Sequence, residues 1–103
     1  MTTLGEFEVL VLLAVLHLGE EAYPPAVRAE IERRAQRAVA RGAVYVTLDR
    51  LEAKKLLGSR VADAAGRARR YYRISPKGLR AVRRAVDAVE RMRHGLEPLL
   101  NEP

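Results

Sequence analysis

Arginines, a tyrosine and a threonine gather in the middle of this chain at spacings suited to holding an anion. Arg41, Gly42, Tyr45, Val46, Thr47 and Arg50 lie close together, and Arg67, Arg69 and Arg70 follow. A guanidinium fork meets a phosphate or a guanine edge at two points, and tyrosine and threonine hydroxyls donate to phosphate oxygens. From Arg41 to Arg84 the chain has thirteen Lys and Arg against Asp49, Glu52 and Asp63. Thirteen against three is a local charge of +10 in a chain of net +6, which leaves −4 elsewhere. A positive block beside acidic flanks is suited to neutralising a polyanion, whereas uniform basicity would serve mainly solubility. A membrane-binding block would carry a Trp, Phe or Leu face, and the basic hairpin has none. Double-stranded DNA is therefore the expected partner, and no membrane is.

Other chemistries find no support. The only histidines are His17 and His94, and the run from His17 to Glu21 lacks the helical spacing of a zinc protease motif. Ser59 and Ser75 have no base near them in sequence, and no glycine loop cradles a phosphate. With no cysteine, a thiolate metal site is impossible. No catalytic residues, metal site or cofactor are expected, and the chain is not expected to be an enzyme. The apolar run from Val9 to Leu16 falls far short of the ~20 residues needed to span a bilayer. Glu6 and Glu8 precede it where a signal peptide would have basic residues. A cytoplasmic location is the expectation.

The elements that must carry these side chains follow from periodicity and punctuation. Helix 1 is expected from about Thr3 to Leu18, opened by a Thr3 and Glu6 capping box and stopped at Gly19. Its apolar residues go all the way round, so one side is expected to meet another subunit. Helix 2 is expected from Pro24 and Pro25 to about Arg37, with Val27, Ile31 and Ala35 inward and Arg28, Arg33 and Arg34 outward. Helix 3, about Gly42 to Lys54, turns Val44, Leu48 and Leu51 inward and Tyr45, Val46, Asp49, Arg50 and Ala53 outward. Two strands, roughly Gly58 to Ala62 and Arg70 to Ile74, join through a turn containing Gly66. Of Tyr71 and Tyr72, which point to opposite faces, one is expected on the core and the other near the DNA side. Ser75 and Pro76 open helix 4, which runs to about His94. There Leu79, Val82, Val86, Val89 and Met92 or Arg93 keep the spacing of a coiled-coil seam.

The fold class this predicts is mainly α with a small β-hairpin: a winged helix-turn-helix over residues 1–75 and a dimerisation helix and tail over 76–103. At 103 residues the two form one compact unit. Leu10 and Leu13 of helix 1 and Leu79, Val82, Val86, Val89 and Met92 of helix 4 are the expected homodimer residues. Helix 4 could alternatively fold back on its own core.

These residues resemble the phenolic-acid-responsive, or PadR-like, family of bacterial transcriptional regulators. The resemblance rests on Leu4-Gly5-Glu6-Phe7-Glu8-Val9-Leu10, on Gly42-Ala43-Val44-Tyr45 with Thr47-Leu48 and Arg50-Leu51-Glu52, and on Arg70-Tyr71-Tyr72-Arg73 with Ser75-Pro76-Lys77-Gly78. It implies a homodimeric, repressor-type regulator reading a pseudo-palindromic operator, with Tyr45 near DNA. In some relatives a small aromatic effector binds at the dimer interface. Three departures stand out: Tyr23-Pro24-Pro25 where relatives often have Tyr-Gly, Lys55 where a glycine commonly ends helix 3, and no hydroxyl or amide cap at Arg41-Gly42.

Within this frame Arg41, Gly42, Tyr45, Val46, Thr47, Arg50, Arg67, Arg69 and Arg70 are the expected DNA-binding residues. Tyr45 and Thr47 would reach phosphates at the positive end of helix 3. Arg50 would reach a guanine edge or a phosphate, or else pair with Asp49 or Glu52. Lys54 and Lys55 would compensate the negative end of the helix. The alternative function is a winged-helix protein-protein interaction module that binds through helix 1 without specific DNA binding.

Overall fold

The structure is a computed structural model and describes residues 3–101. The first helix, α1 (Glu6–Leu18), begins three residues later than the Thr3 and Glu6 capping signal suggests. Its cap is formed by the Gly5 N–H donating to Glu8 Oε1 at 2.9 Å, so Glu8 replaces Glu6 as the residue that closes the first turn. After a 3₁₀ turn (Gly19–Glu21), α2 (Pro24–Ala35) ends when Gln36 adopts the left-handed conformation at φ 54°, short of Arg37. The early stop leaves Ala35 exposed and reduces the inner stripe of α2 to Val27 and Ile31.

Next comes α3 (Arg41–Ala53), then the antiparallel strands β1 (Leu57–Ala64) and β2 (Arg67–Ile74), both longer than expected. Their register runs from Leu57 opposite Ile74 to Ala64 opposite Arg67. Ala65 and Gly66 make the turn at φ 51° and 77°, the paired positive angles that match the twist of a hairpin. The long helix α4 (Pro76–Arg93) is followed by a short α5 (Glu97–Leu100). This is the expected winged-helix architecture, mainly helical with a two-stranded hairpin.

The core lies where α1, α2 and α3 converge, capped by the hairpin root and the start of α4. Val11 and Leu12 of α1, Val27 of α2, and Val44, Leu48 and Leu51 of α3 are almost wholly buried. Val82 of α4 belongs to this same core, with Leu79 and Val86 partly buried against it. The expected dimer seam is therefore split. The early turns of α4 cover their own chain, so Val82 is unavailable to a partner, while Val89 and Met92 remain 64% and 79% exposed. Leu10 and Leu13 are half-buried beside α4. In the hairpin, the Tyr72 N–H donates to the Ala22 carbonyl at 2.8 Å, tying the wing to the chain just before α2.

The junction between α3 and β1 sets the angles among the remaining elements. Lys55, the residue in the glycine position noted above, has a φ of 65° and turns the chain sharply. The Leu56 carbonyl then accepts from the Ser75 N–H at 3.0 Å. Ser75 caps α4 by accepting from the Gly78 N–H at 2.9 Å, and its hydroxyl donates to the Lys55 carbonyl at 2.7 Å. Gly78 is buried against this turn, and a Cβ there would stand 2.0 Å from the Leu56 oxygen.

Two opposite effects on stability follow. Lys55→Gly removes a left-handed penalty of about 1 kcal/mol, part of which the extra freedom of glycine in the unfolded chain gives back. Its thermal midpoint should rise by a few degrees. Gly78→Ala should lower stability by more than about 2 kcal/mol, because the clash is with backbone and cannot relax by rotation of a side chain. Urea denaturation of both variants beside the parent checks the signs, and a neutral Gly78→Ala would contradict the close approach.

Candidate nucleic-acid interface

The outer face of α3 is built by the same spacing that buries its inner face. Arg41, Gly42, Tyr45, Val46, Asp49 and Arg50 are exposed, Val46 to 56%. No side chain caps the start of the helix at Ala40; the Ala43 N–H donates to the Ala40 carbonyl at 3.2 Å, and the Arg41 and Gly42 N–H groups are left without an internal acceptor among the described residues. The Arg41 guanidinium lies 5.8 Å from the centre of the Tyr45 ring, bringing a cation and a phenol to one end of α3. Arg50 forms no ion pair among the described residues, so neither Asp49 nor Glu52 neutralises it.

Thr47 departs from this pattern. It lies three residues after Val44 and four before Leu51, on the face that enters the core, and it is only 5% exposed. At that burial Thr47 stands apart from the exposed side chains of α3 that would reach a phosphate.

Polar contacts fix both ends of α3. Ahead of it, the Arg28 Nε donates to the Val39 carbonyl at 2.8 Å, and the Val39 N–H donates to Glu32 at 3.0 Å. Arg28 is thus committed to the α2–α3 loop, whereas Arg33 and Arg34 pair with Glu30 on the surface of α2. At the far end Lys54 pairs with buried Glu8 of α1 at 2.9 Å. Burial would raise the Glu8 carboxyl, but the Gly5 N–H, the Lys54 ammonium and the charge of Arg50 outweigh it and hold its pKa below the ordinary value. Nothing local in the sequence marks Glu8 as the partner of Lys54, since 46 positions separate them.

The wing arginines fall into three environments. Arg67 is exposed beside the turn. Arg70, also exposed, donates to the Ser59 hydroxyl at 2.9 Å, and Ser59 in turn donates to Glu52 of α3. Arg69 is half-buried, its guanidinium 4.5 Å from the centre of the Tyr23 ring. The expected split between the tyrosines does not occur, because both are buried. Tyr72 enters the core, and Tyr71 is covered by Tyr23 and Arg60. Burial raises the Tyr72 pKa, with Asp49 and Glu52 adding to the effect. Between α3 and the wing lies a cleft of about 580 Å³ lined by Tyr23, Pro24, Pro25, Arg41, Tyr45 and the strand Arg67–Arg70. No acidic side chain lines it.

Residues 12–84 match the model of the Transcriptional regulator PadR-like family. The chain belongs to this family. It is 40% identical to Transcriptional regulator Rv3488 of Mycobacterium tuberculosis over 86 residues, which cover 79% of each chain. A PadR family transcriptional regulator from Eggerthella lenta superposes with a TM-score of 0.70 at 27% identity, over 95% of this chain and 88% of that one. A winged-helix DNA-binding protein from STIV shares the fold at a TM-score of 0.70 and 17% identity, over 91% of this chain and 98% of its own. The PadR-like proteins are transcriptional regulators and not enzymes. No helix among the described residues of this PadR-like chain is long and apolar enough to cross a membrane. Among the same residues no group of three or more His, Asp or Glu could hold a metal ion.

The Glu8–Lys54 pair gives the PadR-like chain a defined acid sensitivity. A carboxyl whose folded pKa is depressed contributes stability above its unfolded value, near 4.5, and that contribution is lost as pH falls through the folded value. Glu8→Gln should lower stability at pH 7, where Lys54 loses its counter-charge, and flatten the decline below about pH 4.5. Urea midpoints measured from pH 7 to pH 3 check this, and parallel profiles for parent and variant would contradict it.

Proposed function

We propose that the protein is a homodimeric, repressor-type regulator that binds a pseudo-palindromic operator, placing α3 in the major groove and the wing against the flanking backbone. The observation that carries this reading is the exposed face of α3 opening onto an arginine-lined cleft free of acidic side chains. Tyr45 and Arg41 are suited to the phosphates beside the groove, and Arg50 to a guanine edge. Gly42 permits close backbone approach, and Val46 offers an apolar contact to a thymine methyl. Arg67 is the wing residue freest to reach the flanking backbone.

The homodimer reading rests on the distal half of α4. Exposed Val89 and Met92 continue into a groove of about 870 Å³ between α1 and α4 that includes Val9, Leu10, Leu13 and Val86. A second copy seated there would cover these residues across a two-fold axis and set two α3 helices about 34 Å apart, or a multiple of that. A small-molecule effector would find its apolar walls in the same groove.

Fluorescence anisotropy against the protein's own upstream DNA and a shuffled control, over a salt series, tests the reading. Specific binding should exceed control binding by tenfold or more. If six to eight phosphates are contacted per dimer, log affinity should fall with log salt at a slope of about −5 to −7. Equal affinity for both DNAs would overturn sequence-specific regulation. Arg50→Ala should cost about 1–3 kcal/mol and relax preference at one base pair, whereas a uniform loss across sequences would reassign Arg50 to a phosphate. Val89→Asp with Met92→Asp should yield monomers in sedimentation velocity at micromolar concentration, and a persistent dimer would exclude this seam.

A further inference from the structure

The side of the wing that faces α2 carries a continuous stack, two of whose members, Tyr23 and Arg69, also line the cleft beside α3. The Arg69 guanidinium lies 4.5 Å from the centre of the Tyr23 ring. The Tyr23 ring is 5.7 Å from that of Tyr71 and tilted 59° to it, and Arg60 covers the Tyr71 ring at 4.7 Å. Arg60 also reaches the Glu20 carboxylate at 3.3 Å. Cation and ring alternate with ring and cation, so each guanidinium faces the negative face of an aromatic ring. Three stack members belong to the hairpin: Arg60 on β1, and Arg69 and Tyr71 on β2. Tyr23 alone belongs to the helical body.

Tyr23 is also held firmly. Its carbonyl accepts from the Val27 N–H at 3.0 Å as the N-cap of α2, and its own N–H donates to the Glu21 carbonyl at 3.1 Å. Pro24 and Pro25 follow, each with a ring-fixed φ, so the first turn of α2 has little freedom to swing. One residue earlier, Ala22 accepts the Tyr72 N–H. Besides Tyr72 in the core, the Ser59–Glu52 hydrogen bond and the Arg60–Glu20 pair, the wing therefore meets the start of α2 through one backbone hydrogen bond and one side-chain stack on adjacent residues.

We propose that Tyr23 is a positioning residue that clamps the wing at a fixed angle to α3, and that Arg69 and Arg60 complete the clamp and are not themselves DNA contacts. This reassigns Arg69 from the expected DNA-binding set. Its consequence for operator binding rests on the proposed function, but the clamp itself does not.

Two measurements separate these levels. In the DNA-free protein, hydrogen exchange followed by NMR should show the amides of Arg67–Arg73 exchanging at least tenfold faster in Tyr23→Ala, with α1 and α3 unchanged. Tyr23→Phe, which keeps the ring, should match the parent. Arg69→Gln, which leaves Tyr23 in place, should speed the same amides if Tyr23→Ala proves too unstable to study. Unchanged exchange in Arg69→Gln, or in a folded Tyr23→Ala, overturns the clamp whether or not the protein binds an operator.

On operator DNA, Arg69→Gln should weaken binding and lose hydroxyl-radical protection at the flanks while keeping it over the α3 half-sites. In an Arg67→Ala background, where the wing's own phosphate contact is already removed, Arg69→Gln should leave the salt slope unchanged. A slope reduced there by about two, one contact from each protomer, would mark Arg69 as a phosphate contact and overturn its assignment here. A parent protein that binds no DNA would overturn the proposed function alone, leaving the exchange experiment to decide the clamp.

Discussion

The close approach of Gly78 to the Leu56 carbonyl is the constraint on which the rest of the molecule depends. Three directions are set at this point: α3 arriving, β1 leaving and α4 starting. The left-handed turn at Lys55 aims the chain, the Ser75 hydroxyl links the turn to the cap of α4, and the absence of a side chain at Gly78 lets the two backbones meet. Hydrogen bonds between backbone groups are short-range and directional, so this arrangement admits little angular play. It is also why α4 buries Val82 against its own chain before its later turns run free.

Much of this architecture is legible in the sequence because local signals and burial agree. The spacing of Val44, Leu48 and Leu51 locates the inner face of α3, and Ser75-Pro76 marks the start of α4. Where reading by position fails, a tertiary partner is responsible. Thr47 belongs by angle to the inner stripe, but its hydroxyl and its place near the helix start favour an outward reading. The Thr3 and Glu6 pattern is a valid cap signal, yet Glu8 serves instead because it also meets Lys54 from a distant helix. Alternation places Tyr71 and Tyr72 on opposite faces of β2 but cannot show that Tyr23 covers the second face. The split of α4 into a covered half and an open half is likewise invisible in a uniform seam of apolar residues.

The candidate interface shows how a formal charge differs from an available one. The basic block reads as a single field, yet several of its cations have internal duties. Lys54 serves Glu8, Arg60 serves Glu20 and Tyr71, and Arg69 serves Tyr23. Arg41, Arg50 and Arg67 form no ion pair among the described residues. Structure thus divides one compositional signal into a scaffold and a surface, and residue type alone does not separate them.

The hairpin's unbroken register gives it the mechanics of a lever. Every residue from Leu57 to Ala64 has a partner on β2 and no bulge interrupts the ladder, so the ribbon transmits a rotation instead of absorbing it. From Tyr71 to the Ala65-Gly66 tip is about 17 Å of extended chain, five residues at about 3.3 Å each. A tilt of about 10° at the root would carry the tip through about 3 Å, enough to break a hydrogen bond whose useful range is only a few tenths of an ångström. The reach of Arg67 is thus governed by side chains near the base of the wing.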